Sequence, residues 1–200
     1  FESLDLSTSR GDEPEHVREN YRRLGAASGI DMSRCAFTRQ VHGHEVRVVT
    51  SADAHTLYTD VPYEADGLVT AERGLALICF TADCVPVLLC DEKAGVIGAV
   101  HCGWRSSVED ILCVAVGKMR SLGAQVRDIR AAIGPSIGPC CFEVGHEVAE
   151  AAEALLGGYF GLWTPVPGRY DKYLLDLRGV NRRRLLQLGV RPENISVSDE

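Results

Sequence analysis

Residue types that bind metals and anions are concentrated in the stretch 81–107, TADCVPVLLCDEKAGVIGAVHCGWRSS. Three short apolar runs before and within this stretch predict buried strands, and they occupy residues 75–80, 87–90 and 96–100. Cys84 lies in the break between the first two runs, and His101 lies where the third run ends. Because thiolate and imidazole are the usual ligands of zinc in proteins, these two residues are candidate metal ligands.

A helix is predicted directly after this stretch, because apolar residues recur at spacings of three and four over residues 108–119. Ser106 and Glu109 have the spacing of a capping box, so we expect the helix to begin at Ser106 and to end at Gly123. Arg105 then lies at the N-terminal end, where unpaired N–H groups favour an anion and a guanidinium adds two parallel donors. Arg105 and Ser106 are therefore predicted to bind phosphate.

Two further histidines lie within residues 35–50, whose alternating pattern predicts a strand with His42 and His44 on one face. His42 combined with Cys84 and His101 gives a His₂Cys set with an open fourth position, which a catalytic zinc needs. His44 is the alternative ligand from the same strand.

The same residues are compatible with other chemistry. Cys84 could instead be a structural core cysteine, or a nucleophile with His101 or His42 as its base, because a thiolate nucleophile and a zinc ligand require the same residue types. Asp83, next to Cys84, is a candidate proton-handling carboxylate, and the alternative is that it caps the turn. The arrangement in the sequence does not separate these possibilities.

The segment 134–138, GPSIG, matches the G-x-S-x-G pattern of serine hydrolases. Pro139 follows where the helix of a nucleophile elbow should begin, and the only histidine after Ser136 is His146. The order of serine, acid and histidine is therefore not met. We interpret this segment as a tight loop that lines the pocket.

Composition limits the remaining classes of function. The chain has 200 residues, 46% hydrophobic and 24% charged, which is enough for one domain over residues 1–200. A net charge of −7 argues against a nucleic-acid partner, because binding phosphate backbones requires clustered Lys and Arg. Several of the eight cysteines lie inside apolar patterns, so we predict reduced thiols and no disulfides.

The sequence also carries no targeting signal that we recognise. No apolar stretch approaches the roughly 20 residues of a membrane span, and residues 1–11 have neither the basic start nor the apolar run of a signal peptide. We therefore expect a cytoplasmic protein without a membrane partner.

Strands and helices are mixed along the chain. The pattern predicts a first helix opened by acidic residues and ending by Gly25 or Gly29, and a last helix capped by Asp176. Between and after these helices it predicts a strand at 129–133, a helix at 147–156, a loop at 157–170 and a strand at 195–197. This order favours an α+β or mixed-sheet α/β fold over a regular doubly wound one.

Motifs in this order closely resemble the YfiH/YlmD family. They are RQVHG (39–43), ADGLVT (65–70), TADCVPVLLCD (81–91), HCGWR (101–105) and IGPSIGPCCFEVG (133–145). The match begins at 3–7 and 11–20 and runs to 175–190, so it covers nearly the whole chain. By position, the resemblance implies the metal ligands His42, Cys84 and His101. It also implies a layered α/β/β/α fold of mixed sheets, and family chains continue beyond a strand like 195–197, so a C-terminal tail is expected to be missing here.

The resemblance implies an activity as well. Family members are described as zinc-dependent purine nucleoside phosphorylases, which also deaminate adenosine and cleave methylthioadenosine with phosphate; they formerly carried the label multicopper polyphenol oxidase, or laccase. A role in peptidoglycan editing is also attached to the family. Copper is the alternative metal, but six histidines are too few for the several copper ions of a laccase. Neither methionine falls in the matching motifs to serve as an axial copper ligand.

Overall fold

The computed structural model describes residues 4–6, 11–56 and 61–199. The helices are α1 (Pro14–Ser28), α2 (Trp104–Val108), α3 (Ile111–Ser121), α4 (His146–Leu156) and α5 (Leu177–Gln187). The strands are β1 (Cys35–Ala36), β2 (Val46–Val48), β3 (Gly67–Thr70), β4 (Ala76–Leu77), β5 (Val85–Asp91), β6 (Val96–Cys102), β7 (Arg130–Ile133), β8 (Glu143–Gly145), β9 (Trp163–Pro165), β10 (Lys172–Leu175) and β11 (Ile195–Val197). Short 3₁₀ turns lie at Ser51–Asp53, Val126–Asp128 and Pro192–Asn194.

The largest sheet has six strands in the order β11-β7-β5-β6-β3-β2. Its central pairs are antiparallel, whereas the outer pairs β11/β7 and β2/β3 are parallel. The register of β5 and β6 places Pro86 opposite His101 and Val85 opposite Cys102. The residues that continue these two strands, Cys84 and Gly103, are therefore brought to the same edge of the sheet.

Two smaller sheets complete the architecture. Strands β8, β10 and β9 form an antiparallel sheet, and β1 pairs with β4 in parallel. The predicted mixed α/β fold with mixed sheets is confirmed. None of the helices in the described part of the chain combines the length and the apolar character that crossing a bilayer requires.

The main core lies between the six-stranded sheet and helices α3, α4 and α5. Helix α3 turns Ile111, Leu112 and Met119 into this core, where at most 1% of each is exposed, and packs them on β6. Each such side chain contributes roughly 1.5–3 kcal/mol when it is fully buried. Packing on this scale fixes β6 and, with it, the position of His101.

The helix predicted to begin at Ser106 differs in the structure. It begins at Trp104, two residues after the end of β6 and two residues before Ser106, and it ends at Val108. Asp110 adopts a left-handed conformation (φ 65°), and α3 follows as a separate helix. Ser106 is buried inside α2, so its hydroxyl does not cap a helix, and the predicted capping box is wrong.

Other element predictions were partly right. Helix α1 ends at Gly29 in the left-handed conformation expected of a C-terminal glycine, and the Asp176 side chain accepts a hydrogen bond from Gly179 N at the start of α5, as predicted. Two other predictions differ from the structure. The strand predicted at 75–80 is reduced to β4, and the loop predicted at 157–170 contains β9.

A buried carboxylate, Asp91, closes the turn between β5 and β6. Its Oδ1 accepts hydrogen bonds from Lys93 N (3.0 Å) and Ala94 N (3.1 Å), and its Oδ2 accepts one from Gln125 N (2.8 Å). Burial alone would raise the pKa of Asp91, but these three hydrogen bonds outweigh burial and lower it. Asp91 therefore joins the strand turn to the segment after α3.

We expect Asp91→Asn to lower the free energy of unfolding by about 1–3 kcal/mol near neutral pH, because backbone donors lose a charged acceptor. The folded pKa lies below the unfolded value of about 3.9. The stabilisation is therefore complete above that value and is lost as the pH falls through the folded pKa. Urea unfolding of both proteins across this window should show the difference shrinking with acid, and a pH-independent difference would contradict this role.

Candidate metal centre

The structure brings together the three residues predicted as metal ligands. The ligand atoms of His42, Cys84 and His101 all lie within 4.8 Å of one another, and the two imidazole ring centres are 4.9 Å apart. His101 is buried near the end of β6, Cys84 is half-buried immediately before β5, and His42 is exposed in the loop between β1 and β2. The centre is therefore open to solvent on the side of His42.

The prediction that His42 and His44 share a strand face is wrong, because residues 39–45 form a loop between two very short strands. His42 has a φ of 61°, in the left-handed region that residues other than glycine seldom adopt. His44 Nδ1 instead lies 2.8 Å from Glu109 Oε2 on the surface. The loop thus turns His42 towards Cys84 and His101 and leaves His44 with Glu109.

Asp66, which the sequence did not single out, holds this arrangement. Its buried carboxylate accepts hydrogen bonds from three successive backbone N–H groups, those of Val41 (3.1 Å), His42 (2.9 Å) and Gly43 (2.8 Å). Such contacts offset the cost of the left-handed conformation, which is roughly 1–2 kcal/mol. Asp66 therefore fixes the backbone that carries one ligand.

The same carboxylate also orients the second histidine. Asp66 Oδ1 lies 2.7 Å from His101 Nδ1, and the backbone oxygen of Asp66 accepts a hydrogen bond from His101 N at 2.7 Å. A carboxylate on one ring nitrogen fixes the tautomer of a histidine and leaves the other nitrogen for a metal. His101 Nε2 is accordingly the ligand atom that Asp66 directs to the centre.

The electrostatics of this pair follow from burial and hydrogen bonding. Burial lowers the pKa of His101, but hydrogen bonds to Asp66 and Cys84 outweigh it and raise that pKa to about 9. Burial raises the pKa of Asp66, and its bonds to His101 and to the three backbone N–H groups reverse this and lower it. Without a metal, His101 and Asp66 therefore form an ion pair, and binding a metal at His101 releases a proton.

Gly103 lies against the three ligands and leaves little room for a side chain. A Cβ atom at this position would lie 3.0 Å from His42 Cδ2, 3.3 Å from Cys84 Sγ and 3.9 Å from His101 Cε1. Because Gly103 also precedes the first residue of α2, the same glycine packs beside the ligands and begins the segment that carries Arg105.

The donor set fits a metal ion. Two imidazoles and one thiolate, with the remaining side open to solvent, are the ligand types and the number found in catalytic zinc sites. The ligand atoms all lie within 4.8 Å of one another, so at most small side-chain rotations would bring them onto one ion. Copper accepts the same donor types.

The residues predicted to bind phosphate and to transfer protons are close in the chain to the metal ligands, and their environments differ. Arg105 is exposed, and its guanidinium lies 4.3 Å from the centre of the Trp104 ring. Ser106 is buried, and its hydroxyl has no hydrogen-bond partner among the described residues. Asp83 is exposed, and no described residue donates to its carboxylate, although its backbone oxygen accepts from Ile137 N at 2.9 Å.

The GPSIG segment forms part of the loop 134–142, as predicted. Gly134 N donates to Pro86 O at 2.9 Å and Ile137 N donates to Asp83 O, so the loop is attached on both sides of Cys84. The hydroxyl of Ser136 is buried and has no hydrogen-bond partner among the residues that the structure describes. The loop therefore supports the metal centre, and Ser136 has no base within hydrogen-bonding distance among the described residues.

Comparison with known proteins agrees with the motifs and the fold. A family model described as multi-copper polyphenol oxidoreductase laccase matches residues 1–200. A purine nucleoside phosphorylase from Mycobacterium tuberculosis is 42% identical over 79% of this chain, which spans 61% of that protein's length. Another protein of that name, from Deinococcus radiodurans, is 41% identical over 95% of this chain and 70% of its own length.

Two solved structures share the architecture. YlmD from Geobacillus stearothermophilus has a TM-score of 0.88 and 33% identity, and the match covers 100% of this chain and 75% of that one. The YfiH protein from Bacillus licheniformis has a TM-score of 0.89 and 30% identity, and the match covers 100% and 76%. With a family model that spans residues 1–200 and relatives of this similarity, the chain belongs to the YfiH/YlmD family.

Proposed function

We propose that this protein is a zinc-dependent purine nucleoside phosphorylase, which converts adenosine, inosine or methylthioadenosine and phosphate to the free base and a sugar 1-phosphate. Deamination of adenosine at the same centre is part of the proposal. The observation that carries it is the placement of the His₂Cys group against Gly103, two residues before the exposed Arg105. The names of the relatives from M. tuberculosis and D. radiodurans support the reaction class.

Phosphorolysis requires an anion held against the anomeric carbon of the sugar. In this proposal the Arg105 guanidinium binds the phosphate through two parallel hydrogen bonds. Ser106 contributes its backbone N–H, because its hydroxyl is buried and the first hydrogen bond inside α2 is that from Ser107 N to Gly103 O. With only five residues in α2, the charge of Arg105 rather than the helix dipole supplies the attraction.

The remaining roles belong to the metal ligands and to Asp83. His42, Cys84 and His101 would hold zinc, which when bound supplies a Lewis acid beside the phosphate. Asp83 would act as the carboxylate that transfers a proton to or from the nucleoside. Its carboxylate is exposed, and no described residue donates a hydrogen bond to it. His101 is kept in one orientation by Asp66, so the substrate meets a preformed centre.

Copper-dependent phenol oxidation is the second candidate, and the description of the matching family model favours it. The ligand count argues against it. In the parts of the chain that the structure describes, one group of His, Cys, Asp and Glu is close enough to hold a metal, and it contains three ligands. Neither methionine, Met32 or Met119, falls in the motifs that carry the three ligands, and methionine is the usual weak axial ligand of such a copper site.

A third candidate uses Cys84 as a nucleophile with a histidine base, in a hydrolase that edits peptidoglycan precursors.

Metal exchange separates all three candidates. Metal-free, zinc-loaded and copper-loaded protein should each be incubated with inosine plus phosphate and, separately, with a phenol. We expect nucleoside cleavage by the zinc form alone. Full activity of the metal-free protein would favour the cysteine nucleophile, and phenol oxidation by the copper form alone would favour the oxidase.

We expect Arg105→Ala to raise the KM for phosphate by roughly 10- to 100-fold, or to abolish phosphorolysis, because a charged hydrogen-bond pair to the anion is worth about 1.5–3 kcal/mol. Zinc content should not change, since Arg105 is not a ligand. Initial rates at varied phosphate concentration measure the effect.

The matched control is Arg120→Ala, which removes another exposed arginine, at the end of α3. That variant should retain the phosphate KM of the unmodified protein. An Arg105→Ala enzyme with the same phosphate KM would remove this residue from the proposed phosphate site.

A further inference from the structure

Two adjacent cysteines, Cys140 and Cys141, lie apart from the metal ligands on the loop 134–142. Both side chains are exposed, and their sulfur atoms are 3.0 Å apart. The other exposed cysteine among the described residues is Cys113, on α3. Two accessible thiols this close to one another can be joined by a single two-electron oxidation.

The loop backbone holds the two thiols together. Cys141 N and Phe142 N both donate to Gly138 O at 3.0 Å. A Cβ atom on Gly138 would lie 3.6 Å from Cys140 Sγ and 3.4 Å from Arg178 Nη2, so the thiol and the guanidinium both lie against this glycine. Arg178 is itself held by a hydrogen bond to Ser198 O at 2.9 Å. Reactive cysteines are typically found in such exposed, electropositive surroundings.

The two thiols are not equivalent. The pKa of Cys141 is raised because its thiol is hydrogen-bonded to Cys140. The thiolate is the nucleophile in thiol–disulfide exchange, so a raised pKa makes Cys141 the poorer first attacker. Cys140, whose sulfur lies against the same glycine as the Arg178 guanidinium, is the better candidate to attack first.

We propose that Cys140 and Cys141 form a redox-active dithiol, which a low-molecular-weight disulfide oxidises to an intramolecular disulfide. The sulfur of Cys140 attacks the oxidant, whose S–S bond breaks and releases one thiol, leaving a mixed disulfide. Cys141 then attacks the Cys140 sulfur and releases the second thiol. The two electrons and two protons lost by the cysteines leave on the two released thiols.

The product should be readily reduced again. Neighbouring Cα atoms are about 3.8 Å apart across a trans peptide, which is shorter than the roughly 4.4–6.8 Å of ordinary disulfides. Strained, exposed disulfides are the labile ones, so the oxidation is reversible by small thiols.

Oxidation of this pair can affect the metal centre through the hydrogen bonds of the loop, and these form its route to that centre. The loop 134–142 donates hydrogen bonds to Asp83 O and Pro86 O, on either side of Cys84. Closing a ring at Cys140 and Cys141 changes the backbone of the turn that ends this loop. We expect the hydrogen bond from Ile137 N to Asp83 O to weaken in the oxidised protein.

Mass spectrometry tests the proposal independently of any enzymatic activity. Trypsin releases residues 131–169 as one peptide, and its only cysteines are Cys140 and Cys141. After treatment with glutathione disulfide and alkylation under denaturing conditions, this peptide should be lighter than the free dithiol by two hydrogens and should carry no alkyl group. Dithiothreitol should restore both alkylation sites.

Variants provide the controls. Cys140→Ser should leave only a mixed disulfide or a free thiol on Cys141, and Cys113→Ser should leave the oxidation unchanged. Amide hydrogen exchange at Ile137 should be faster in the oxidised protein than in the reduced one. Unchanged exchange would overturn the route to the metal centre. A wild-type peptide that accumulates only mixed disulfides, or remains alkylated at both cysteines, would overturn the redox-active pair.

Discussion

Zinc binding should be lost when Cys84 is replaced by alanine. Cys84 supplies the only thiolate of the three-residue group, and its removal leaves two imidazoles, one of them exposed. Losing a partner that only orients a ligand already costs roughly 10- to 100-fold in metal affinity, so losing a ligand should cost more than about 100-fold. Metal analysis after dialysis against a weak chelator should find about one zinc per chain in the unmodified protein. It should find almost none in Cys84→Ala.

His44→Ala is the matched control, because His44 lies on the same loop as His42 but contacts Glu109. This variant should retain the zinc content of the unmodified protein. Retention of zinc by Cys84→Ala, or its loss from His44→Ala, would mean that the ligands are assigned incorrectly.

Replacing Asp66 with asparagine should lower zinc affinity by roughly 10- to 100-fold without removing a ligand. The carboxylate accepts four hydrogen bonds, from three backbone N–H groups around His42 and from His101 Nδ1. An asparagine side chain has one oxygen to accept them, and its NH₂ group faces donors. Both the left-handed turn at His42 and the orientation of His101 should loosen. Competition with a chromogenic chelator measures the affinity.

Asp91→Asn separates this effect from general destabilisation. Asp91 is also a buried carboxylate that accepts three backbone hydrogen bonds, but it closes the turn after β5, at the opposite end of that strand from Cys84. It should lower stability and leave zinc affinity unchanged. Equal losses of zinc affinity in the two variants would show that Asp66 acts through the fold rather than through the ligands.

The parts of the site that follow from local patterns could be predicted from the sequence. Continuous apolar runs identify β5 and β6, and the hairpin between them brings Cys84 and His101 together. The acidic start and terminal glycine of α1 and the cap at Asp176 also depend on neighbouring residues alone. Family motifs identified His42, although the strand that we predicted for it does not form.

The parts that were missed depend on residues distant in the chain. Asp66 acts on residues 23 to 35 positions away, and no local pattern marks it as a partner of two histidines. Ser106 fits the capping pattern, but α2 packs against α4 and α5, and this packing buries the hydroxyl. Asp110 tolerates the left-handed conformation that separates α2 from α3, and the continuous apolar stripe conceals that break.

In the proposed function, a zinc centre at His42, Cys84 and His101 supports cleavage of a nucleoside by phosphate. The most direct test incubates zinc-loaded protein with inosine, with and without phosphate, and separates the products by chromatography. We predict hypoxanthine and ribose 1-phosphate in equal amounts, formed only when phosphate is present. Release of hypoxanthine and free ribose at the same rate without phosphate, or no cleavage under either condition, would contradict the account.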